Sequence, residues 1–257
     1  MFGNFSKMKS NSVPNILAVA LFLSVPVFLA GNRIPAHNSK TLPTAIYNLP
    51  AKSDLSSSVG FVNEVYDSIQ LNKYGLDKYV LQLAMKGFDK MMRKGALNKD
   101  SILSIVDFSK SSREKRFYVI DLKNRELLFN TLVAHGRNSG MDYARWFSNM
   151  PSSNKSSLGF YITQNTYNGD NGFSLRLQGI ERGINDKAFR RRIVMHGADY
   201  AEEDYISSRG HLGRSFGCPA IPMEEHEEII EAIKDGTCLF IYSPNKKYLR
   251  YSKILNG

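Results

Sequence analysis

Cysteine is scarce in this chain, with only Cys218 and Cys238 among 257 residues. A small exported protein held together by disulfides would carry more, so the composition excludes a disulfide-built scaffold. A single bridge between the two would account for both residues. However, Cys238 begins a continuous apolar run that ends at Tyr242, and a buried thiol there needs no partner. We therefore expect Cys238 to be buried and unbridged.

Metal-binding motifs are also missing, because the sequence has neither an H-E-x-x-H pattern nor paired cysteines at ligand spacing. Glu224, Glu225 and His226 could be read as metal ligands or as acid/base groups. They open an amphipathic segment, Met223–Lys234, so we interpret the two glutamates as solvated partners of a helix dipole. We expect no metal and no cofactor.

No stripe of basic residues interleaved with aromatic residues is present, although 34 basic and 24 acidic residues give a net charge of +10. That charge favours an anionic environment such as nucleic acid, a phospholipid surface or an acidic cell-wall polymer. Without the basic stripe, we predict no nucleic-acid partner.

The longest apolar run, Ile16–Ala30, is short for a transmembrane span and is interrupted by Pro26. Lys7 and Lys9 precede it, which is the layout of a secretory signal. We predict that residues 1–31 are a signal peptide or an N-terminal anchor, with membrane anchoring through residues 16–30. The protein is then expected in the periplasm or cell envelope.

The rest of the chain divides by composition and hydrophobic period. Residues 32–60 are polar and proline-containing and are predicted to be a linker. Residues 61–109 show helical spacing and are predicted to form a helical segment, with two helices and a third short one near Ser101–Phe108. The methionines and aromatic residues of its apolar stripe are interpreted as core.

Residues 110–257 have the short period of strands. A hairpin is predicted from Arg116–Asp121 and Glu126–Val133. Further strands are predicted at Gly159–Thr163, Phe173–Leu177, Ile193–His196 and Cys238–Tyr242. With one helix at Met223–Lys234, this predicts a mainly β, antiparallel sandwich or barrel with one C-terminal helix, preceded by a small helical segment, and so α+β overall.

Cys218 and His196 have the chemistry of a nucleophile and its base. A thiolate is the reactive form of cysteine, and histidine can take its proton near neutral pH. His196 ends an apolar strand 22 residues before Cys218. Gly217 bares the backbone beside the sulfur, so the amides of Gly217 and Cys218 are expected to be free for an oxyanion. Residue types alone leave open an inert, buried Cys218 and a structural His196.

His196 with Gly197, a glycine-bearing loop, and then Ser215, Gly217 and Cys218 resemble the active-site signature of L,D-transpeptidase (YkuD-like) catalytic domains, in the murein L,D-transpeptidase branch. The resemblance extends upstream, from near Phe117 to Tyr242. It includes Lys155–Tyr161, Thr166–Gly169, Gly172–Leu177 and Asn185–Asp186.

The resemblance implies an exported enzyme that attacks peptidoglycan stem peptides through a Cys218 thioester, at the bond between diaminopimelate and D-alanine. It implies that carbapenems inhibit the enzyme. The acyl group passes to an amine in transpeptidation, or to water if the protein is an L,D-carboxypeptidase. Ser215 is expected to orient the loop or bind substrate, and His211 to position substrate, with a second possibility that His211 is the base.

One departure is that Pro219 and Ala220 follow Cys218, where the common motif has an aliphatic residue and then arginine. Arg214 is the nearest arginine in sequence and is expected to bind the substrate carboxylate, with Arg176 and Arg190–Arg192 next. His135 is expected to be structural or exposed. Two other classes stay open: a non-catalytic wall-binding protein, and an unrelated secreted cysteine protease.

Overall fold

The computed structural model describes residues 55–257, with side chains from residue 59 onward. The predicted leader and residues 32–54 of the predicted linker lie outside this range. The six helices of the described chain are α1 (Leu55–Ile69), α2 (Lys78–Arg93), α3 (Glu203–Arg209), α4 (His226–Ile233), α5 (Lys246–Tyr251) and α6 (Lys253–Asn256). The strands are β1 (Ile102–Asp107), β2 (Phe117–Asp121), β3 (Glu126–Thr131), β4 (Gly159–Gly169), β5 (Gly172–Gly179), β6 (Val194–Gly197), β7 (Ala220–Ile221) and β8 (Cys238–Tyr242).

All eight strands form one sheet in the order β3-β2-β1-β8-β4-β5-β6-β7. The predicted hairpin is confirmed as the antiparallel pair β2–β3, and β4–β5 is a second antiparallel hairpin. Two pairings are parallel, β1 with β8 and β6 with β7. A mainly antiparallel sheet combined with helices confirms the predicted fold class.

The predicted third helix at Ser101–Phe108 is wrong, because these residues form β1 in the middle of the sheet. Every residue of β1 is buried, and the strand lies between β2 and β8. A short, uniformly buried apolar segment has no amphipathic period that would distinguish a strand from a helix. The predicted domain boundaries at residues 60 and 109 stay a prediction.

Helix α2 provides the core of the helical segment, as its apolar stripe predicts. Asp77 caps its N-terminus by accepting the Tyr79 N–H at 2.7 Å. Gly87 brings the helix backbone against the ring of Phe160 in β4, where an added Cβ would lie 2.0 Å from a ring carbon. The stripe is therefore buried against the sheet and does not form a groove.

The helix predicted at Met223–Lys234 is confirmed, but it begins at His226, with Ile229, Ile230 and Ile233 buried beneath it. Helices α3, α5 and α6 are short and were not predicted. In residues 55–257 no helix has the length and apolar character needed to cross a membrane. Cys238 is a free, buried thiol whose sulfur lies 3.7 Å from Met91 Sδ, as expected from its apolar run.

Candidate active site

The parallel pairing of β6 and β7 brings His196 and Cys218 together. In this pairing His196 is opposite Ala220, and Gly197 is opposite Ile221. Continuing the register by two residues sets Cys218 beside Val194. The Val194 N–H indeed points at the Cys218 sulfur, at an N–Sγ distance of 3.5 Å. The two predicted catalytic residues therefore lie on neighbouring segments of chain, two positions apart in this register.

The Cys218 thiol is partly buried and has two backbone neighbours. It accepts from the Val194 N–H and donates to the Arg192 carbonyl at 3.8 Å. No hydrogen bond joins this thiol to His196 within residues 55–257. Proton transfer between them therefore requires His196 Nε2 and the sulfur to come within hydrogen-bond reach.

His196 is oriented by its own backbone neighbour. Its Nδ1 lies 2.8 Å from the Gly197 carbonyl oxygen, which can only accept, so Nδ1 carries the proton. Nε2 is then left with a lone pair, as a general base requires. Burial lowers the pKa of His196, the nearby His226 lowers it further, and the bond to Gly197 partly opposes both effects.

The resting pair is electrically neutral. Burial raises the pKa of the Cys218 thiol, while the Val194 N–H and the positive charge of Arg191 partly offset that rise. Burial acts on His196 in the opposite direction and also favours its uncharged form. We conclude that the free protein holds a thiol and an imidazole, and not a thiolate–imidazolium ion pair.

This conclusion predicts the pH dependence of thiol alkylation. A thiol reacts as its thiolate, so a raised pKa moves the reaction to higher pH. The rate of Cys218 labelling by iodoacetamide should have its midpoint above the ordinary cysteine value of about 8.5. Mass mapping of the Cys218 peptide measures it, with glutathione as a parallel control. A midpoint below pH ~7 would instead indicate a preformed ion pair.

The turn before the nucleophile is fixed by Ser215. Its hydroxyl accepts the Gly217 N–H at 3.0 Å and donates to the Cys218 carbonyl at 2.6 Å. The expectation that the Gly217 amide is free is therefore wrong, because a serine two residues earlier already occupies it. The Cys218 N–H has no acceptor in the part of the chain that the structure describes, so it is available to an oxyanion.

Gly217 cannot be replaced without cost. Its φ of +128° lies in the region that favours glycine, and an added Cβ would lie 2.9 Å from the Lys155 carbonyl oxygen. Gly217→Ala should therefore lower the free energy of unfolding by about 1–3 kcal/mol, measured by chemical denaturation. Gly210→Ala is the matched control, because φ is +77° there but no atom lies within 4 Å. Equal losses in the two variants would show that crowding at Gly217 is unimportant.

A second layer holds this turn from behind. Ser156 accepts the Gly136 N–H at 3.0 Å and donates to the Gly217 carbonyl at 3.2 Å. His135 accepts the Ser215 N–H through its carbonyl oxygen at 3.0 Å. Its ring is buried between Arg116 and the Gly140 carbonyl, and burial lowers its pKa to about 3. His135 thus has the structural role expected for it.

Arg214 and His211, both predicted to bind substrate, are held by different hydrogen bonds. Arg214 donates weakly to the carbonyls of Arg137 and Gly140, both at 3.5 Å. His211 is half-buried after α3, with Nδ1 2.7 Å from the Leu212 carbonyl oxygen. No hydrogen bond joins His211 to either Cys218 or His196 among the described side chains.

Two residues beside the thiol were not assigned from the sequence. Tyr200 is close enough to Cys218 that, after burial, the cysteine's charge is the second cause that raises the tyrosine's pKa. Arg191 was expected only as a further candidate for binding the substrate carboxylate. Its positive charge lowers the pKa of Cys218 and so partly offsets the effect of burial. Neither has a sequence signal, because both are brought in by folding from outside the Ser215–Cys218 turn.

The acidic residues at the start of α4 do not enter the thiol site. Glu225 accepts a short hydrogen bond from Thr131, and His226 Nδ1 lies 2.6 Å from the Met223 carbonyl oxygen. An added Cβ at Gly197 would lie 2.7 Å from the His226 ring, so this ring packs behind β6. Within the described chain no cluster of His, Cys, Asp and Glu is suited to a metal ion.

The candidate site thus combines a thiol held by the backbone with an imidazole whose Nδ1 is bound by a backbone carbonyl. A sequence model of the L,D-transpeptidase catalytic domain family (YkuD_2) matches residues 72–242. That match spans well over half of the chain, and the protein therefore belongs to this family. A search of curated proteins finds no match.

Solved structures with some similarity include an L,D-transpeptidase from Mycobacterium smegmatis, at 11% identity and a TM-score of 0.36, covering 56% of this chain and 59% of that one. The helical cell shape determining protein Pgp2 from Campylobacter jejuni has 14% identity and a TM-score of 0.39, covering 57% and 49%. An L,D-transpeptidase in complex with imipenem has 12% identity and a TM-score of 0.34, covering 55% and 59%. The chain therefore matches about half to three-fifths of these proteins.

Proposed function

We propose that the protein is a peptidoglycan L,D-transpeptidase in which Cys218 is the nucleophile and His196 the general base. The observation that carries this proposal is the Val194 N–H contact, which holds the Cys218 sulfur beside the residue two positions before His196. Membership of the L,D-transpeptidase catalytic domain family supports the choice of substrate.

The first half-reaction transfers an acyl group to sulfur. His196 Nε2 takes the Cys218 proton, and the thiolate attacks the diaminopimelate carbonyl of a stem peptide. The Cys218 N–H stabilises the resulting oxyanion. When the C–N bond breaks, His196 returns the proton to the nitrogen of the departing D-alanine, and a thioester remains on Cys218.

The second half-reaction transfers the acyl group onward. An acceptor amine from another stem peptide attacks the thioester, its proton passes to His196, and the Cys218 thiol is restored. With water as the acceptor, the same steps trim the stem and make the protein an L,D-carboxypeptidase. The neutral resting pair suits this sequence, because no charge has to be desolvated before substrate arrives.

Arg214 is proposed to bind the substrate carboxylate. Its two hydrogen bonds are both 3.5 Å long and go to uncharged carbonyls, so little is lost when a carboxylate replaces them. His211 is proposed to contact substrate from the loop after α3. A carbapenem, whose strained carbonyl resembles the scissile amide, is proposed to acylate Cys218.

Export to the periplasm or cell envelope is proposed from the charge and hydropathy of residues 1–31 alone. Anchoring through residues 16–30 is part of the same proposal. Alkaline phosphatase fused after residue 31 should be active only if this segment directs export. Inactive fusions would contradict it.

Mass spectrometry of muropeptides tests the proposed reaction. The full chain is incubated with disaccharide-tetrapeptide, and the products are separated by mass. Crosslinked dimers that have lost one D-alanine indicate transpeptidation, and tripeptides indicate carboxypeptidation. Binding without turnover would point to a wall-binding protein, and cleavage of casein to a general cysteine protease.

A further inference from the structure

Arg191 is held in one place by four hydrogen bonds. Its Nη1 donates to the Ser148 carbonyl at 2.8 Å and to Ser157 Oγ at 2.6 Å. Its Nη2 donates to the Lys155 carbonyl at 2.8 Å and to Ser153 Oγ at 3.2 Å. All four acceptors lie in residues 148–157, the last part of the loop that leads into β4. The guanidinium therefore ties this loop to the start of β6.

All four acceptors are uncharged. No carboxylate forms an ion pair with Arg191 in the described part of the chain. The side chain is half-buried, and burial lowers its pKa. A partly desolvated cation whose partners are all uncharged is less favourable than one that an anion joins at some stage. The ionisable groups that interact with its charge are Tyr161 and Cys218.

The guanidinium also packs under the nucleophile turn. A Cβ built on Gly217 would lie 3.3 Å from Arg191 Nη2 and 2.9 Å from the Lys155 carbonyl oxygen that Arg191 binds. Arg191 and residue 155 together thus form the surface on which the Gly217–Cys218 peptide rests. Substrate carboxylates cannot use the same Nη atoms without breaking four hydrogen bonds, in contrast to the loosely bound Arg214.

We propose that Arg191 is a positioning residue of the nucleophile site, which seats the Gly217–Cys218 peptide on residues 148–157 and supplies the positive charge that stabilises the Cys218 thiolate. The proposal rests on the role given above to Cys218. The other ionisable groups near the thiol are His196, which is neutral at rest, and Tyr200. Arg191 is the cation that packs under the Gly217–Cys218 turn, and its charge partly offsets the effect of burial on the Cys218 pKa.

The test is the pH profile of Cys218 alkylation by iodoacetamide in the full chain, read by mass mapping. Arg191→Met should raise the midpoint by about one pH unit, the lower end of the effect of an adjacent opposite charge. Arg191→Lys keeps the charge but not the fork, so its midpoint should stay near the wild-type value. Arg190→Met removes a neighbouring exposed arginine and is the matched control, with no shift expected.

An unchanged midpoint in folded Arg191→Met would overturn the proposal. Arg191→Gln removes the charge while keeping a donor, and it provides the same comparison if the methionine variant does not fold. Because alkylation needs no peptidoglycan, the outcome is separate from the muropeptide assay. Normal wild-type crosslinking together with an unshifted Arg191→Met midpoint refutes the role of Arg191 alone.

Discussion

Replacing Cys218 with alanine should abolish muropeptide turnover and covalent carbapenem adducts while leaving a folded protein. The side chain is small, and its two hydrogen bonds to the backbone are long, so its loss should change the free energy of unfolding by no more than about 1–2 kcal/mol. Turnover is measured by muropeptide analysis, adducts by intact mass, and stability by thermal denaturation.

Cys238→Ala is the matched control, since it removes the other thiol of the chain. Cys238 is buried in β8, and its sulfur lies against Met91 of helix α2 in the core. This variant should therefore keep its activity. Its stability should fall as for any small core truncation. Turnover that survives in Cys218→Ala, or disappears in folded Cys238→Ala, would mean that the nucleophile has been misassigned.

Replacing His196 with glutamine should lower the rate of Cys218 acylation by a factor of about 10² to 10⁴, the usual contribution of a positioned general base. Glutamine can still bond the Gly197 carbonyl but cannot accept a proton near neutral pH. Stopped-flow measurement of acylation by a carbapenem reports this step directly.

His211→Gln is the companion variant. Because the His211 ring is bound to the Leu212 carbonyl and has no hydrogen bond to the thiol in the described chain, its loss should weaken substrate affinity and leave the acylation rate nearly unchanged. The opposite pattern, with slow acylation in His211→Gln and normal acylation in His196→Gln, would transfer the base role to His211.

Most strands could be predicted from sequence because their apolar runs are bounded by polar turns. The hairpin β2–β3 follows from two such runs with Leu122–Arg125 between them. Two of the strands were not predicted: β7, which has two residues, and β1, which is buried on both faces and therefore has no alternation to read. Strand β1 lies between β2 and β8, and these two partners are more than 100 residues apart in sequence. The local periodicity of a segment cannot predict such distant pairing.

The active site was predictable where chemistry and spacing coincide. Cys218 and His196 could be proposed from residue type, and the register of β6 and β7 sets them two positions apart on neighbouring segments of chain. The sequence could not show that the Gly217 N–H is already hydrogen-bonded, because this bond depends on the rotamer of Ser215. Only the folded turn shows that the serine hydroxyl competes with an oxyanion for that donor.

The arginines show why distance along the chain is a poor guide. Arg214 is four residues from Cys218, and Arg191 is 27 residues away. The charge that acts on the thiol is nevertheless that of Arg191, since the segment before β6 passes beneath the nucleophile turn. Sequence proximity suggested Arg214 for a different role, the binding of the substrate carboxylate, and gave no reason to place Arg191 at the nucleophile turn.

Several of the upstream motif residues form the scaffold. The Ser156 hydroxyl donates to the Gly217 carbonyl. The Ser157 hydroxyl oxygen accepts from the Arg191 guanidinium. The Asn185 side chain donates to the carbonyls of Leu158 and Phe160, which fixes the start of β4. Because such residues are part of the resemblance, the resemblance indicates two things. It indicates the reacting groups and also the fold that supports them.

Trapping the acyl-enzyme tests the central claim most directly. The full chain is mixed with a tetrapeptide stem, quenched in acid within the first turnover, digested with protease and mapped by mass spectrometry. The account predicts a tripeptide acyl group on the peptide that contains Cys218, absent from Cys218→Ala and labile to hydroxylamine as a thioester is. Continued turnover with the adduct on Ser215 or Cys238, or with no adduct at all, would contradict it.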